Sequence, residues 1–345
     1  MPNPITPSSA PDNWRQLPSY PQKPGVAGVL AGQHDGILIA AGGANFPDRP
    51  PWDGGTKKYY DDIHVLLPGA TEWMPAGRLP EPRGYSAVVS VPGGVLVLGG
   101  ENADKVFSDT LWLRWDGRQV AVSAGPALPA ATTCPAAVLS EEHVYLASGY
   151  AAGPLRRSQA AFWRLDLRNI AAGWITQPVW PGPSRGQGVM AALASAVYLF
   201  SGIETGAGPD GQPRVSYLCD AYRFRPETGW ERLPDLPRSA IAAPSPAPVS
   251  PATARIFLLG GVDGRLAGKQ PRDTRVPDSI IYFDVAAGEW KAWPQRWPDP
   301  VVTAPAVRRD DEWVIVSGET MAAVRTPHVW AWKTEGVPVP DAPRR

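Results

Sequence analysis

A six-bladed β-propeller is the fold this sequence predicts, and three observations carry it. One apolar pattern ending in two small residues recurs six times along the 345 residues. The chain holds 41 prolines, 35 glycines and 15 tryptophans while its hydrophobic content, 43%, is ordinary, a composition that suits many short strands joined by turns. Finally, the last repeat lacks its fourth strand, and a segment resembling that strand stands at the opposite end of the chain.

The repeated pattern reads ILIAAGG (37–43), VLVLGGE (95–101), VYLASGY (144–150), VYLFSGI (197–203), IFLLGGV (256–262) and WVIVSGE (313–319). Its second glycines are Gly43, Gly100, Gly149, Gly202, Gly261 and Gly318, spaced 57, 49, 53, 59 and 57 residues apart. Each copy is the second strand of a unit. Before it comes a small-residue strand (GVAGVLA, GYSAVVSV, CPAAVL, GVMAALA, IAAPSPAPV, VTAPAV). After a loop of variable length comes an alternating aromatic strand, at 61–67, 109–115, 160–167, 219–226, 279–285 and 327–333. The fourth strand carries a tryptophan, as in 72–80, 173–178, 229–237 and 289–294, and is RQVAVSAG in the second unit. Four short strands in about 50 residues, with a glycine pair and a tryptophan, match the kelch period.

The sixth unit runs out into TEGVPVPDAPRR without a tryptophan strand, whereas DNWRQLPSYP (12–21) reads like GWERLPDLP. The expectation is that residues 12–21 close the sixth blade and remove two sheet edges. One domain over 1–345 follows, with blades at approximately 22–80, 81–130, 131–182, 183–237, 238–297 and 298–335.

Lysine plus arginine and aspartate plus glutamate both number 33, so the net charge is zero. That balance excludes a general binder of nucleic acid or of anionic membranes. No run of 18 apolar residues suggests a membrane helix. The N-terminus lacks a basic and an apolar region, so a cytoplasmic location is expected, or a periplasmic one for a processed chain. Cys134 and Cys219 are too few for a disulfide framework or a cysteine zinc site. His34, His64, His143 and His328 share no ligand spacing, so no metal is expected, and no obligate protein partner is evident.

In an up-and-down blade the start of the first strand and the loop after the second share a face near the axis. Loops on a rigid scaffold concentrate function, and the loops of that face are 44–60, 101–108, 150–159, 203–218, 262–278 and 319–326. Arg83, Arg185 and Arg238 open first strands, Glu101, Glu204 and Glu319 end second strands, and Arg156, Arg157, Arg272, Arg275 and Arg325 come from the loops. A funnel of arginines with a few glutamates suits a small anionic ligand, since guanidinium forks bind carboxylates bidentately.

GGANFPDRPPWDGGTKKYYDDIHVL, with RLPEPRGYSAVVSVPGGVLVLGGE after it and WVIVSGETMAAVRT in the last unit, resembles the bacterial N-acetylneuraminate epimerases (sialic acid mutarotases), kelch propellers that interconvert sialic acid anomers. GGANFP lies late in the family's periplasmic form and first here, which implies a cyclically permuted branch. The resemblance implies that Glu319 is the proton acceptor and Arg325 its companion in the active site, though TMAAV between them departs from the family pattern. It implies an acidic sugar as substrate and no cofactor; the placement of strand starts and ends on one face adds Arg83, Arg185 and Glu101 as expected substrate-binding residues. Two other readings remain: a sialidase-like hydrolase, for which no SxDxGxTW turn is present, and a non-catalytic kelch interaction module. A galactose-oxidase-type copper enzyme would need more histidines than four.

Overall fold

The computed structural model describes residues 13–153, 156–208, 212–266 and 274–334. Six four-stranded antiparallel sheets account for nearly all regular structure among them, and the helical content is three single 3-10 turns. No helix among the described residues is long and apolar enough to cross a membrane.

Blade 1 is built from Leu30–His34, Ile37–Ala41, Asp62–Leu66 and Met74–Arg78. Blade 2 has Ala87–Val91, Gly94–Leu98, Thr110–Trp115 and Val120–Gly125. Blade 3 has Ala136–Ser140, His143–Ala147, Phe162–Asp166 and Trp174–Thr176. Blade 4 has Val189–Leu193, Ala196–Ala207, Pro213–Arg225 and Gly229–Leu233. Blade 5 has Val249–Ser250, Arg255–Leu259, Ser279–Asp284 and Glu289–Arg296. Its first strand is only two residues long because Pro244, Pro246 and Pro248 cannot donate to a ladder.

Blade 6 combines Ala306–Arg309, Glu312–Met321 and Val324–Lys333 with the N-terminal strand Trp14–Leu17. The register sets Trp14 against Trp332 and Leu17 against Val329. Trp14 stacks on Trp332 at 5.3 Å and on Trp297 of blade 5 at 5.9 Å. Of the expected boundaries, Asp12 and Glu335 lie outside the described residues.

Apolar side chains on facing sheets form the core in the seams between blades, as in the cluster joining Ile39, Ile63 and Val65 of blade 1 to Val95, Val97 and Leu113 of blade 2. The fourth-strand tryptophans stitch the same seams through their indole N–H groups. Trp174, Trp230 and Trp290 donate to the carbonyls of Pro126, Pro178 and Pro234 in the preceding blades, at 3.1, 2.8 and 2.9 Å. Trp73 of blade 1 donates in the same way to Pro18, just after the N-terminal strand, at 2.8 Å. The seam between the last and first blades is thus built like those between blades 2 and 3, 3 and 4, and 4 and 5.

Around the axis runs a closed circuit of backbone hydrogen bonds. Tyr85 N–H donates to Gly28 O, Cys134 to Tyr85, Gln187 to Cys134, Ala242 to Gln187, Thr303 to Ala242, and Gly28 to Thr303, all at 2.7–3.1 Å. All six residues have φ between 51° and 62°, the left-handed region that non-glycine residues seldom adopt.

The glycine pairs follow from the same geometry. Their second members have φ from 80° to 132°, where only glycine is comfortable, and a Cβ on Gly100 would collide with Ser86 and Gly84 O.

Blades 4 and 6 depart from expectation. Segments 203–218 and 319–326, read above as loops, are largely continuations of the second and third strands past a bulge at Phe200/Gly202 and at Val316/Gly318. A bulge re-aims the strand without ending it, so the apolar run stops while the ladder continues.

Trp14→Ala removes an indole buried between two blades. It should destabilise the fold by about 3–5 kcal/mol, read as a lowered midpoint in urea or thermal unfolding.

Candidate active site

The residue after each glycine pair is clamped by two backbone hydrogen bonds to the residue before a member of the axial circuit. The pairs are Ala44–Ala27, Glu101–Gly84, Tyr150–Thr133, Ile203–Gly186, Val262–Ile241 and Glu319–Val302. Twelve positions are thereby fixed around one opening. Glu101 and Glu319 occupy two of them, and Tyr85, Cys134, Gln187 and Thr303 project from the circuit itself. Together with Phe46, Lys57, Tyr150, Arg156, Thr205, Ala323 and Arg325, these residues line a basin of about 450 Å³. That volume suits a small molecule, since such sites run from about 300 to 1,000 Å³. Below the circuit the channel narrows to about 80 Å³ between Gly28, Ala136 and Ala243.

Glu319 and Arg325 are direct cross-strand partners in the extended blade 6 hairpin. Arg325 Nη2 lies 3.3 Å from Glu319 Oε2, and Glu319 Oε1 accepts the Ala323 N–H at 2.8 Å. The guanidinium sits over the Phe46 ring at 5.1 Å. Its Nε and Nη1 are buried and make no hydrogen bond of good geometry, the Tyr85 hydroxyl being their polar neighbour, an arrangement that favours an incoming acceptor because unmet buried donors are costly.

A second charged cluster spans blades 1–3. Glu101 accepts the Tyr59 hydroxyl at 2.8 Å and Arg156 Nη2 at 3.0 Å, with Lys57 Nζ 3.7 Å away. Arg156 is held in place by Thr205, whose hydroxyl donates to its carbonyl at 2.5 Å. Lys57 is delivered by the two-residue ribbon pairing Ala44–Asn45 with Lys58–Tyr59. Asn45 anchors that ribbon by accepting the Tyr60 hydroxyl at 2.9 Å and donating to Gly25 O at 2.9 Å. The Lys57 ammonium consequently stands over the rings of Tyr85 and Tyr59, at 4.2 and 5.0 Å.

Burial raises the Tyr85 hydroxyl above its ordinary value, an effect opposed by the Arg325 charge and reinforced by Glu319. Tyr59 and Tyr150 are raised by burial too, Tyr59 further by Glu101 and Tyr150 further by Cys134. All three therefore remain neutral hydrogen-bonding groups near pH 7. Burial, then Glu101, pushes the Cys134 thiol up to about 11, so it is no thiolate at neutral pH. Burial lowers the Lys57 ammonium, with Glu101 and Cys134 opposing that effect. Among the described residues, no group of three or more His, Cys, Asp or Glu side chains is placed to hold a metal ion.

Of the sequence-predicted residues, Glu319, Arg325 and Glu101 come together in the basin, whereas Arg83 and Arg185 do not line it. Arg185 is fully buried and its fork closes on Asp220 at 2.8 and 2.7 Å, with a further bond to Ser201 O. Arg83 is likewise buried: its Nη2 donates to both Asp109 carboxylate oxygens at 2.9 and 2.8 Å, its Nη1 to Gly99 O, and its guanidinium packs on the Phe107 ring. Both turn into their own blade, joining its second strand to the start of the third. Arg238 makes the corresponding contacts to Ser279. These arginines fasten strands through their terminal nitrogens. Arg272 lies outside the described residues. Lys57, Tyr85, Tyr150 and Gln187 were not singled out from the sequence. Tyr150 alone carried a signal, since it follows a glycine pair as Glu101 and Glu319 do.

No family model matches the chain. It is similar to the N-acetylneuraminate epimerase of Brucella suis, 38% identical over 114 residues that make up 30% of this chain and 29% of that protein. It is 25% identical over 223 residues to the N-acetylneuraminate epimerase of Yersinia enterocolitica, covering 57% of this chain and 54% of the relative. N-acetylneuraminate epimerase 1 of Escherichia coli is 34% identical over 119 residues, 32% of each chain. The matched stretches thus span about half of the relatives' length or less. The resemblance read from the glycine-pair segments is a resemblance to proteins bearing this name.

Arg185→Ala leaves the Asp220 carboxylate buried without its counter-charge. The expected cost is about 3–5 kcal/mol of stability, measured by denaturant unfolding, with ligand affinity per folded molecule unchanged.

Proposed function

We propose that the basin is the active site of a sugar anomerase acting on N-acetylneuraminate or a similar acidic sugar. The observation that carries this reading is the Glu319–Arg325 pair, a carboxylate and a buried guanidinium with unmet donors side by side at the basin wall. A 2-keto sugar acid such as N-acetylneuraminate has its carboxylate on the anomeric carbon. A cation that binds the carboxylate therefore brings the anomeric hydroxyl beside whatever stands next to that cation, and here that is Glu319.

Ring opening needs two proton movements and no change of oxidation state. Glu319 takes the proton of the anomeric hydroxyl as its O–H electron pair becomes the second bond of a ketone. The bond from the anomeric carbon to the ring oxygen breaks toward that oxygen, which receives a proton. Rotation about the bond to the freed carbonyl exposes its other face, and the reverse transfers close the opposite anomer. Arg325 holds the carboxylate through its Nε and Nη1, and Glu101 keeps Arg156 and Lys57 facing the sugar. Three cations against two carboxylates give the basin wall a positive balance suited to one anionic ligand. Tyr85 and Tyr150 line the basin and supply aromatic surface for the apolar side of a pyranose.

Glu319→Gln preserves size while abolishing the base. The exchange rate between anomers, followed by NMR exchange spectroscopy at saturating sugar, should fall by roughly 10²-fold. Arg325→Ala should instead weaken sugar binding by roughly tenfold or more, the worth of a charged hydrogen bond. Exchange by Glu319→Gln as fast as in the parent would remove Glu319 from the mechanism.

A further inference from the structure

Ring opening as described leaves the proton donor to the ring oxygen unnamed, and among the described residues the basin offers few candidates. Glu319 is committed to the anomeric hydroxyl. Arginine does not give up its proton in proteins, which removes Arg325 and Arg156. The buried tyrosines and Cys134 are shifted upward, away from easy proton release. Glu101 already accepts from Tyr59 and Arg156 beside a lysine.

We infer that Lys57 is the general acid that protonates the ring oxygen, a step that rests on the anomerase reading above. Lys57 lines the basin with Glu319 and Arg325 while standing on a different wall, that of the blade 1 loop. A base and an acid on separate walls match a reaction whose two protons move on two oxygens of one carbon. Its ammonium is poised over the Tyr85 ring and beside Glu101. The Tyr85 ring forms part of the basin surface, so Nζ is held at the ligand rather than in bulk solvent. Burial lowers its pKa, against Glu101 and Cys134 and with Arg325 and Arg156. A lysine tuned downward by burial is a better acid than a free one.

Proton balance is closed. As the ring bond breaks, its electron pair takes one Nζ proton, leaving a neutral amine and a protonated Glu319. On reclosure the chain hydroxyl attacks the ketone and returns its proton to Lys57, while Glu319 returns its own to the carbonyl oxygen. The enzyme ends as it began.

Three variants of the full chain test this with N-acetylneuraminate as probe. Lys57→Met removes the proton and the charge. Lys57→Arg keeps the charge but cannot donate. Both should lower the maximal exchange rate by roughly 10²-fold and abolish its alkaline limb, which in the parent should lie below the range of an ordinary lysine. Lys57→Arg should leave the sugar dissociation constant within about threefold, and circular dichroism and unfolding midpoints should match the parent for at least that variant. Lys57→Arg with the parent's rate, or an alkaline limb unchanged in Lys57→Met, overturns the assignment while Glu319→Gln can still be slow. An effect confined to KM makes Lys57 a binding residue and overturns it as well. A parent without activity overturns the anomerase reading itself, which is thereby distinguishable.

Discussion

Six backbone hydrogen bonds passed from blade to blade around the axis hold the innermost strand starts at one level, and the site is laid out on that circuit. The Gly28 N–H to Thr303 O bond joins the first blade to the last, so the ring is only as closed as the seam between them. That seam contains Leu17, Tyr20 and Trp73, with Pro18 accepting from Trp73, and is built from the N-terminal strand and the turn after it. Closure therefore reaches the basin directly, because Thr303 both completes the circuit and lines the cavity. Left-handed backbone at Tyr85, Cys134, Gln187, Ala242 and Thr303 is a cost of order 1 kcal/mol or more per residue, offset by these bonds and by packing in six seams.

A sixfold backbone needs unlike side chains to make one site. The positions after the glycine pairs are equivalent by hydrogen bonding, yet carry Ala44, Glu101, Tyr150, Ile203, Val262 and Glu319. Charge is thus confined to two of them. The rest of the polarity comes from insertions: a ribbon from blade 1 brings Lys57, a loop from blade 3 brings Arg156, and the prolonged hairpin of blade 6 brings Arg325 opposite Glu319. Each insertion is tied back by a specific bond, such as Asn45 to Gly25 or Thr205 to Arg156. This is how mobile-looking loops deliver side chains at fixed distances.

Fold and site were not equally legible in the sequence. The propeller could be read because every blade repeats glycine at a positive φ and small residues at the axis, and all but the second carry a tryptophan in or just before the fourth strand. Glu101 and Glu319 could be read because they stand one residue past those glycines. Arg83 and Arg185 were misplaced because a strand-opening arginine looks the same whether it faces the channel or its own blade. The discriminating signal was Asp109 and Asp220, acids standing at the start of the third strand in the same units. Lys57 and Tyr85 had no comparable sign. One lies in a long loop whose path is set by Asn45, and the other owes its position to a backbone conformation that tyrosine does not advertise.

The central claim is that this chain speeds the interconversion of sugar anomers without changing anything else in the molecule. A single anomer of N-acetylneuraminate, dissolved afresh and followed by proton NMR, measures it without any variant. With the protein present at catalytic concentration, the ring-proton signals should reach their equilibrium ratio well before the uncatalysed sample, and no new species should form. Equal relaxation with and without protein would contradict the claim and leave the basin as a binding site without turnover.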